Sequence, residues 1–319
     1  MSLLTAIVAC TAAFLAVGMV WRRANGPEPG LDQRVTDVSD DMDSRPFTDE
    51  VSVPQVVTWT TESAERSHPG RKRSSNQDAV FSDPELGLFV VADGMGGHQG
   101  GERASEMVVE ALAALSRAPM PVLFRRPDVL VQAVESANRS ILAMAARQKM
   151  LAGMGSTVTA MWMAREESLL VLAHVGDSRC YRLRGGRLEC LTEDHVADER
   201  SGAHAGRLTR AVGVRNAIDV DTRIERVEPG DMYLLCSDGL TRMVDEVQIE
   251  SVLRSSSELD VAADALISRA NRAGGRDNIS VVLMAARRLS ASRSDDEVDW
   301  DADTEEVEVT ATDVPLGSR

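Results

Sequence analysis

The chain is organised around one stretch, Leu88-Phe89-Val90-Val91-Ala92-Asp93-Gly94-Met95-Gly96-Gly97. Its first five residues form an apolar run of the kind that predicts a buried strand. The strand leads directly into Asp93, and three of the four residues after Asp93 are glycine. Because an unpaired carboxylate is strongly unfavourable in a protein interior, a cation at this strand end would stabilise it.

The same junction between an apolar run and an aspartate occurs at three more places. Tyr233 to Ser237 leads into Asp238, Leu169 to Val175 leads through Gly176 into Asp177, and Asp277 stands just before the run Ile279 to Met284. A single Asp-Gly pair is typically a turn signal. For Asp93, Asp238 and Asp277 taken together the turn interpretation is weaker, because each abuts a strongly apolar run. Carboxylates are hard oxygen ligands suited to Mg²⁺ or Mn²⁺, whereas the five histidines show no zinc-type pairing.

Charge and composition limit the partners and divide the chain. The 319 residues carry a net charge of −15 and only 3% aromatic residues, which argues against nucleic acid as a partner. Residues 290–319 hold ten acidic and two basic side chains, and residues 22–52 hold eight acidic and four basic. Such segments cannot bury enough surface to offset their ordering entropy. We therefore expect a flexible acidic linker at 22–52, a globular domain at 53–289 and a disordered acidic tail at 290–319.

Residues 1–21 carry no charged side chain and are mostly apolar from Leu3 onward. As a helix, the run from Leu3 to Trp21 would span about 28 Å, which matches one hydrocarbon core. Arg22 and Arg23 follow at once, and positive charge on this flank favours a cytoplasmic C-terminal side. A cleaved signal peptide is the alternative, but it would carry a basic residue before the apolar run. We expect a single-pass transmembrane anchor at 1–21 in the inner or cell membrane, with the rest of the chain in the cytoplasm.

The four cysteines indicate a reducing compartment. Cys10, Cys180, Cys190 and Cys236 show no C-x-x-C spacing. Cys180 and Cys190 flank a predicted turn but lie one register step away from facing each other. Free thiols are therefore expected.

Hydrophobic periodicity predicts strands in clusters rather than strict alternation with helices. Strands are expected at 53–61, 79–82 and 88–92, helices around 104–115 and 130–145, then strands at 157–163, 169–175, 179–191 as a hairpin, 222–227 and 232–236, helices at 245–253 and 259–273, and a strand at 279–286. Clustered strands favour antiparallel sheets with helix pairs packed on them. The predicted fold class is α+β, a four-layer α-β-β-α sandwich of two antiparallel sheets.

Six short motifs occur in one order along the chain. They are Arg73-Ser74-Ser75-Asn76-Gln77-Asp78, Asp93-Gly94-Met95-Gly96-Gly97, Gly155-Ser156-Thr157, Gly176-Asp177-Ser178-Arg179, Ser237-Asp238-Gly239-Leu240 and Asp277-Asn278-Ile279-Ser280. In this order, over roughly residues 55–287, they resemble the motifs of the metal-dependent (type 2C, PPM) Ser/Thr protein phosphatases in their bacterial form. That family has an α-β-β-α sandwich, which agrees with the pattern of strands and helices. The resemblance identifies residues 53–289 as a phosphatase domain.

The resemblance implies a role for each motif aspartate. Asp93 bridges two Mg²⁺ or Mn²⁺ ions, the backbone carbonyl of Gly94 ligates one of them, and Asp238 and Asp277 complete the shell of the other. Asp177, with Asp238, resembles the pair that binds a third, weaker ion in bacterial members. A hydroxide held between the two ions attacks phosphorus directly, without a phosphoenzyme, as in two-metal hydrolysis generally.

The resemblance also implies roles for Arg73 and Asp78. Arg73 holds the phosphate oxygens with its planar guanidinium fork, and Asp78 hydrogen-bonds metal waters. On its own Arg73 would be interpreted as part of a solvated basic run with Arg71 and Lys72. The family's offsets to Asn76 and Asp78 favour the phosphate role.

Three departures from the family pattern affect the expected chemistry. Gln77 stands where many members have glutamate, so one ion is expected to bind more weakly. Met95 stands where eukaryotic members have a histidine proposed as general acid, so the leaving-group proton must come from water or elsewhere. Residues 194–210 are short where bacterial relatives usually carry a longer flap, which leaves substrate selection and the third ion open.

The leading hypothesis is a membrane-anchored phosphatase that faces the cytoplasm and acts on phosphoserine and phosphothreonine in the substrates of a Ser/Thr kinase. A catalytically weak or inactive phosphatase-fold binding or sensor module is the alternative. The short flap and Gln77 favour that alternative, and the presence of every expected metal aspartate disfavours it. A third possibility, small phosphoester substrates, has no sequence evidence either way. A further hypothesis is that the acidic tail competes for the basic run 71–73 and inhibits the enzyme.

Overall fold

The structure, a computed structural model, describes residues 58–117, 127–198 and 206–289. The predicted anchor at 1–21, the linker at 22–52 and the tail at 290–319 lie outside the described residues. Within the described ranges, no helix is both long and apolar enough to cross a membrane.

Strands dominate the described chain, and helices come in two groups between them. The strands are β1 (Thr58–His68), β2 (Asp78–Asp83), β3 (Leu88–Met95), β4 (Gly155–Ser156), β5 (Val158–Ala164), β6 (Leu169–Val175), β7 (Arg179–Arg184), β8 (Arg187–Cys190), β9 (Asp221–Arg226), β10 (Met232–Cys236) and β11 (Ile279–Leu289). The helices are α1 (Gly97–Ala113), α2 (Pro127–Arg147), α3 (Asp238–Thr241), α4 (Glu246–Ser255) and α5 (Leu259–Arg272).

The strands form two antiparallel sheets. One sheet has the order β1-β11-β10-β7-β8, and the other has the order β2-β3-β5-β6-β9 with the short β4 beside β3. The hairpin between β7 and β8 pairs Tyr181 with Cys190. Cys180 is therefore displaced by one position from Cys190, as the sequence predicted.

Side-chain alternation on the central strands creates three apolar layers. On β3, Phe89 and Val91 pack between the two sheets, where they meet residues such as Met161 and Tyr233. The intervening Leu88, Val90 and Ala92 face the other way and pack under α1 and α2. Because both faces of β3 are covered, its sequence is continuously apolar rather than alternating.

The outer face of the sheet that contains β10 and β11 is covered by α4 and α5. The apolar residues of α4 and α5, among them Ile249, Leu253 and Leu266, pack against Leu234 of β10 and Leu283 of β11. Helices thus lie on the outer face of each sheet, which confirms the predicted α-β-β-α sandwich.

The end of the first strand was predicted too early. The sequence favoured 53–61; residues 53–57 lie outside the described residues, residues 58–61 begin β1 as predicted, and β1 continues to His68 through the polar residues Glu62, Glu65 and Arg66. The reason is its position at the edge of its sheet, where outward side chains need not be apolar. Arg66, for example, donates from Nε to Asp264 at 2.7 Å and from Nη2 to Asp260 at 2.8 Å on α5.

Candidate metal centre

Four strand ends meet at one cavity of about 420 Å³. Six of the seven residues singled out in the sequence line it, namely Arg73, Asp93, Gly94, Asp177, Asp238 and Asp277. The seventh, Asp78, lies directly opposite Asp93 in the pairing of β2 with β3. The structure therefore brings together residues that are up to 204 positions apart in the chain.

Asp93 is fixed by its backbone, which leaves its carboxylate for the cavity. Its N–H donates to Thr157 Oγ1 at 2.9 Å, and its carbonyl accepts from the Thr157 N–H at 2.8 Å and the Ser156 hydroxyl at 3.0 Å. Burial raises the pKa of Asp93 well above its ordinary value, and the carboxylate of Asp78 raises it further. Without a cation nearby, the ionised form of Asp93 is therefore strongly disfavoured.

Asp78 lies behind Asp93 and is held by a serine from another strand end. Its Oδ2 accepts from the Ser237 hydroxyl at 2.8 Å. Its Oδ1 is buried and has no hydrogen-bond partner among the described residues. Burial raises the pKa of Asp78 to about 6, although the hydroxyls of Ser280 and Ser237 oppose the shift.

Gly94 permits close contact between the end of β3 and the start of α1. A Cβ at this position would lie 2.0 Å from the carbonyl oxygen of Gly101 and 2.7 Å from that of Gln77. Reciprocally, a Cβ at Gly101 would lie 2.8 Å from the Gly94 carbonyl oxygen. Glycine is therefore required on both sides. α1 begins at Gly97, ahead of the apolar periodicity that starts at Ala104.

Asp238 and Asp177 share one arginine. Arg242 Nη2 lies 2.5 Å from Asp238 Oδ2 and 3.3 Å from Asp177 Oδ2. Asp238 Oδ1 is buried and has no partner among the described residues. Burial raises the pKa of Asp238 to about 7, with a further contribution from Asp177, and Arg242 opposes the shift. Burial also raises the pKa of Asp177, again against the effect of Arg242.

Asp277 lies between Arg73, the residue proposed to bind phosphate, and Asn278. Its Oδ2 accepts from Arg73 Nη2 at 2.9 Å, and its Oδ1 accepts from the N–H of Asn278 at 2.9 Å. The Arg73 side chain is 53% exposed, so its guanidinium lies at the mouth of the cavity. A guanidinium in this position can bind an anion that enters from solvent.

Asn278 holds the segment that carries Arg73. Its Nδ2 donates to the carbonyls of Ser75 at 2.8 Å and Pro69 at 3.0 Å, and its Oδ1 accepts from the N–H of Gln77 at 2.9 Å. Asn278 is only 5% exposed. A single buried amide thus fixes three points of residues 69–77.

Gln77 and Met95, two of the three departures from the family pattern, both line the cavity. The Gln77 amide donates from Nε2 to the carbonyl of Gly97 at 2.9 Å. Gln77 thereby ties the segment of Arg73 to the first residue of α1. Met95 supplies neither a proton nor a charge.

The short segment 194–210 is anchored beside Asp177. His195 Nδ1 accepts from the N–H of Gly176 at 3.1 Å, so its Nε2 carries the proton and faces Asp221 Oδ2 at 3.0 Å. Arg210 Nη1 donates to Asp221 Oδ1 at 2.6 Å. Beyond this anchor, Gly206 and Leu208 line the cavity.

The donor set fits divalent cations. Among the described residues, no three His, Cys, Asp or Glu groups are close enough to hold a metal ion as they stand; instead, Arg73 and Arg242 lie against the carboxylates. The buried Oδ1 atoms of Asp78 and Asp238, which have no hydrogen-bond partner in the described part of the chain, are acceptors in need of a cation or a hydrogen-bond donor. Hard carboxylate oxygens without thiolates suit Mg²⁺ or Mn²⁺.

Sequence reasoning missed two contributors, Arg242 and Asn278. Arg242 lies four residues after Asp238, on the same side of one helical turn, and that spacing was the available signal. Asn278 was quoted within a motif but given no role, since its three hydrogen bonds reach back about 200 positions.

Comparisons with known proteins agree with this geometry. Residues 66–279 match the family described as Protein phosphatase 2C. The serine/threonine phosphatase stp of Listeria welshimeri is 37% identical over 246 residues, covering 72% of this chain and 97% of the relative. The serine/threonine protein phosphatase PstP of Mycobacterium tuberculosis is 37% identical over 243 residues, covering 71% of this chain and 45% of the relative.

Solved structures show the same fold. The catalytic domain of the phosphatase PstP, solved in complex with two manganese ions, matches with a TM-score of 0.65 and 36% identity, covering 72% of this chain and 100% of that domain. PppA, a regulatory component of the type VI secretion system of Pseudomonas aeruginosa, matches with a TM-score of 0.65 and 34% identity, covering 73% and 100%.

Proposed function

The chain belongs to the protein phosphatase 2C family, and from that premise we propose how its own residues divide the work of dephosphorylation. It is a metal-dependent Ser/Thr protein phosphatase whose cofactor is two Mg²⁺ or Mn²⁺ ions. Its substrates are phosphorylated proteins, and we propose that they are products of a Ser/Thr kinase. The alternative of an inactive binding or sensor module receives no support from the comparisons.

One observation carries the proposed division of roles. Asp93, Asp177, Asp238 and Asp277 come from four separate strand ends and line one cavity. Burial raises the pKa values of Asp93, Asp177 and Asp238. Such a concentration of carboxylates is unfavourable unless cations neutralise it.

We propose that Asp93 bridges the two ions, that the Gly94 carbonyl ligates one, and that Asp238 and Asp277 ligate the other. When bound, the ions lower the pKa of water and neutralise charge on the attacking and leaving oxygens. Asp177, close to Asp238 through Arg242, is the proposed site of a third, weaker ion. Binding at this site would require Arg242 to move away from both carboxylates.

Arg73 is proposed to bind the phosphate. Its guanidinium already contacts Asp277 from the cavity mouth, so a phosphate bound there would lie next to the proposed ions. A planar fork can donate to two phosphate oxygens at once and orient the phosphorus. Asp78 is proposed to accept hydrogen bonds from water at Oδ1, which has no partner among the described residues, and so to position that water for the reaction.

Met95 lines the cavity and stands where eukaryotic members have a histidine. The side chain at this position therefore cannot donate the leaving-group proton. A thioether carries no exchangeable proton. We propose that water in the cavity protonates the serine or threonine oxygen as it leaves.

We further propose that residues 1–21 anchor the enzyme in the inner or cell membrane, with the phosphatase domain in the cytoplasm. Support comes from the uncharged apolar run that ends at Trp21 and from Arg22 and Arg23 directly after it. The full chain should sediment with membranes and resist extraction by high salt, whereas a chain without residues 1–21 should remain in the supernatant. Recovery of both proteins in the supernatant would reject the anchor.

The function is tested by hydrolysis of a phosphothreonine peptide by the full chain. We expect turnover with Mn²⁺, none in excess chelator, and a loss of at least about a hundredfold in Asp238→Ala, as is typical when a group acting on the developing charge is removed. Asp264→Ala is the matched control, because Asp264 is an exposed carboxylate on α5 that pairs with Arg66. Turnover that survives the chelator or the Asp238→Ala change would reject the proposed mechanism.

A further inference from the structure

A second concavity, which we call the basic groove, lies between the turn after β1 and the last turns of α5. Its volume is about 370 Å³, and it is lined by His68, Arg71, Ile267, Ser268, Asn271 and Arg272. Arg71 and Arg272 are both exposed. Within the described part of the chain, neither guanidinium has an acidic partner, whereas Arg66 on the neighbouring strand contacts both Asp260 and Asp264.

The basic groove adjoins the metal centre through the turn at Gly70. A Cβ at Gly70 would lie 2.1 Å from the carbonyl oxygen of Asp277, so the backbone of this turn packs directly on a proposed metal ligand. The N–H of Arg71 donates to the carbonyl of Gly275 at 2.7 Å. Arg73, at the cavity mouth, is two residues further on, which is at most about 7 Å along the backbone.

The side chains of Arg71 and Arg272 are not required for the local structure. The last turn of α5 is capped by its own backbone, since the N–H groups of Gly274 and Gly275 donate to Asn271 and Ala270 at 3.2 and 3.1 Å. Arg272 is therefore not needed as a cap. Arg71 is held by its backbone N–H, so its side chain is not needed to fix the turn.

We propose that the basic groove docks an acidic segment of the phosphoprotein substrate. This inference rests on the proposed function, because the substrate reaches the groove only when its phosphoresidue occupies the cavity. An extended peptide advances about 3.3 Å per residue. Carboxylates about two to five positions from the phosphoresidue would therefore reach Arg71 and Arg272. The whole chain has a net charge of −15, so a pair of arginines without an acidic partner among the described residues favours an acidic segment here over elsewhere.

The test compares four substrates with the full-length enzyme. They are p-nitrophenyl phosphate, a neutral phosphothreonine peptide, and the same peptide with a block of glutamates placed on either side. For the wild type we expect a kcat/KM about tenfold higher on one acidic peptide than on the neutral peptide at low salt, since two exposed ion pairs each contribute up to about a few-fold. The preference should disappear in high salt, because exposed pairs are screened.

The double variant Arg71→Glu/Arg272→Glu should lose this preference and leave hydrolysis of p-nitrophenyl phosphate within about twofold, since neither side chain lies in the cavity. The matched control is Arg187→Glu, an exposed arginine at the start of β8. It should keep the preference for the acidic peptide.

Three outcomes would overturn the inference. One is a wild type with equal kcat/KM on all three peptides, and another is a double variant that keeps the preference. A double variant that is faster on every peptide would instead indicate that the chain's own residues 290–319 occupy the basic groove. In each case Mn²⁺-dependent hydrolysis of p-nitrophenyl phosphate persists. Its absence from the wild type would overturn the proposed function itself, together with this inference.

Discussion

Replacing Asp238 with asparagine should stabilise the metal-free protein and destroy its response to Mn²⁺. Burial and Asp177 raise the pKa of Asp238 to about 7 from an ordinary value of 3.8. One pKa unit corresponds to about 1.4 kcal/mol, so the full shift sets a ceiling of about 4 kcal/mol on the cost of ionising Asp238 in the folded state. The favourable contact with Arg242 is lost in the variant, but that contact is already included in the shift.

The sign of the pH dependence follows from the raised pKa. Below about pH 4 the carboxyl is protonated in both the folded and the unfolded chain, and the substitution should change little. As the pH rises from 4 to 7, the unfolded chain ionises Asp238 while the folded chain resists. The wild type therefore loses stability that the variant keeps. At pH 8 in excess chelator, we expect Asp238→Asn to be more stable than the wild type by about 2–4 kcal/mol.

Mn²⁺ should reverse this order. A ligand at a thousand times its dissociation constant stabilises the folded state by about 4.1 kcal/mol per site, and Asp238→Asn should lose that gain at the site it ligates. Urea unfolding of both full chains at pH 4 and pH 8, with chelator and with Mn²⁺, measures all of these terms. Asp264→Asn is the control, since the Asp264 side chain is 64% exposed and pairs with Arg66, and it should follow the wild type in each condition.

Two results would refute the reasoning for Asp238. One is a variant that is no more stable than the wild type at pH 8 in chelator. The other is a variant that gains as much stability from Mn²⁺ as the wild type.

Three further changes test the surroundings of the site. Asn278→Ala should cost about 1–3 kcal/mol in urea unfolding and raise the KM for a phosphopeptide, because it removes the side-chain partner of three partly buried backbone groups and releases the segment of Arg73; an unchanged KM would contradict this. Arg73→Lys keeps the charge but loses the planar fork, so KM should rise about tenfold with less effect on kcat. If Arg73→Lys lowers kcat as much as Asp93→Asn does, a binding role for Arg73 would be contradicted. Burial lowers the pKa of His174 to about 4. Because the folded state keeps this imidazole neutral, the protein loses stability as the pH falls below about 6.5, and between pH 7 and 5 the wild type should lose about 2 kcal/mol relative to His174→Gln. Urea unfolding that changes equally with pH in both proteins would reject this.

The strand ends could be predicted from sequence because the signal there is local. Asp93 directly follows five apolar residues, and the same junction marks Asp177 and Asp238. Their convergence could not be obtained from such local patterns, because the order of strands in the two sheets is set by long-range pairing. Only the order of the motifs, through the resemblance to a family, predicted that they belong to one site.

Contacts across the chain account for most of what the sequence did not reveal. Arg242 meets Asp177 across 65 positions, and Asn278 meets Ser75 across 203. The second half of β1 was missed for a different reason: an edge strand with a polar residue that pairs with α5, such as Arg66, lacks the apolar pattern on which strand prediction depends.

Calorimetric titration of the full chain with Mn²⁺ tests most directly whether these aspartates form the metal centre. The wild type should bind at least two ions per chain. Asp93→Asn, which removes the charge of the proposed bridging residue while keeping its shape, should lose tight binding of both. A wild type that binds no Mn²⁺ at millimolar concentration, or an Asp93→Asn variant that binds two ions with unchanged affinity, would contradict the assignment of Asp93.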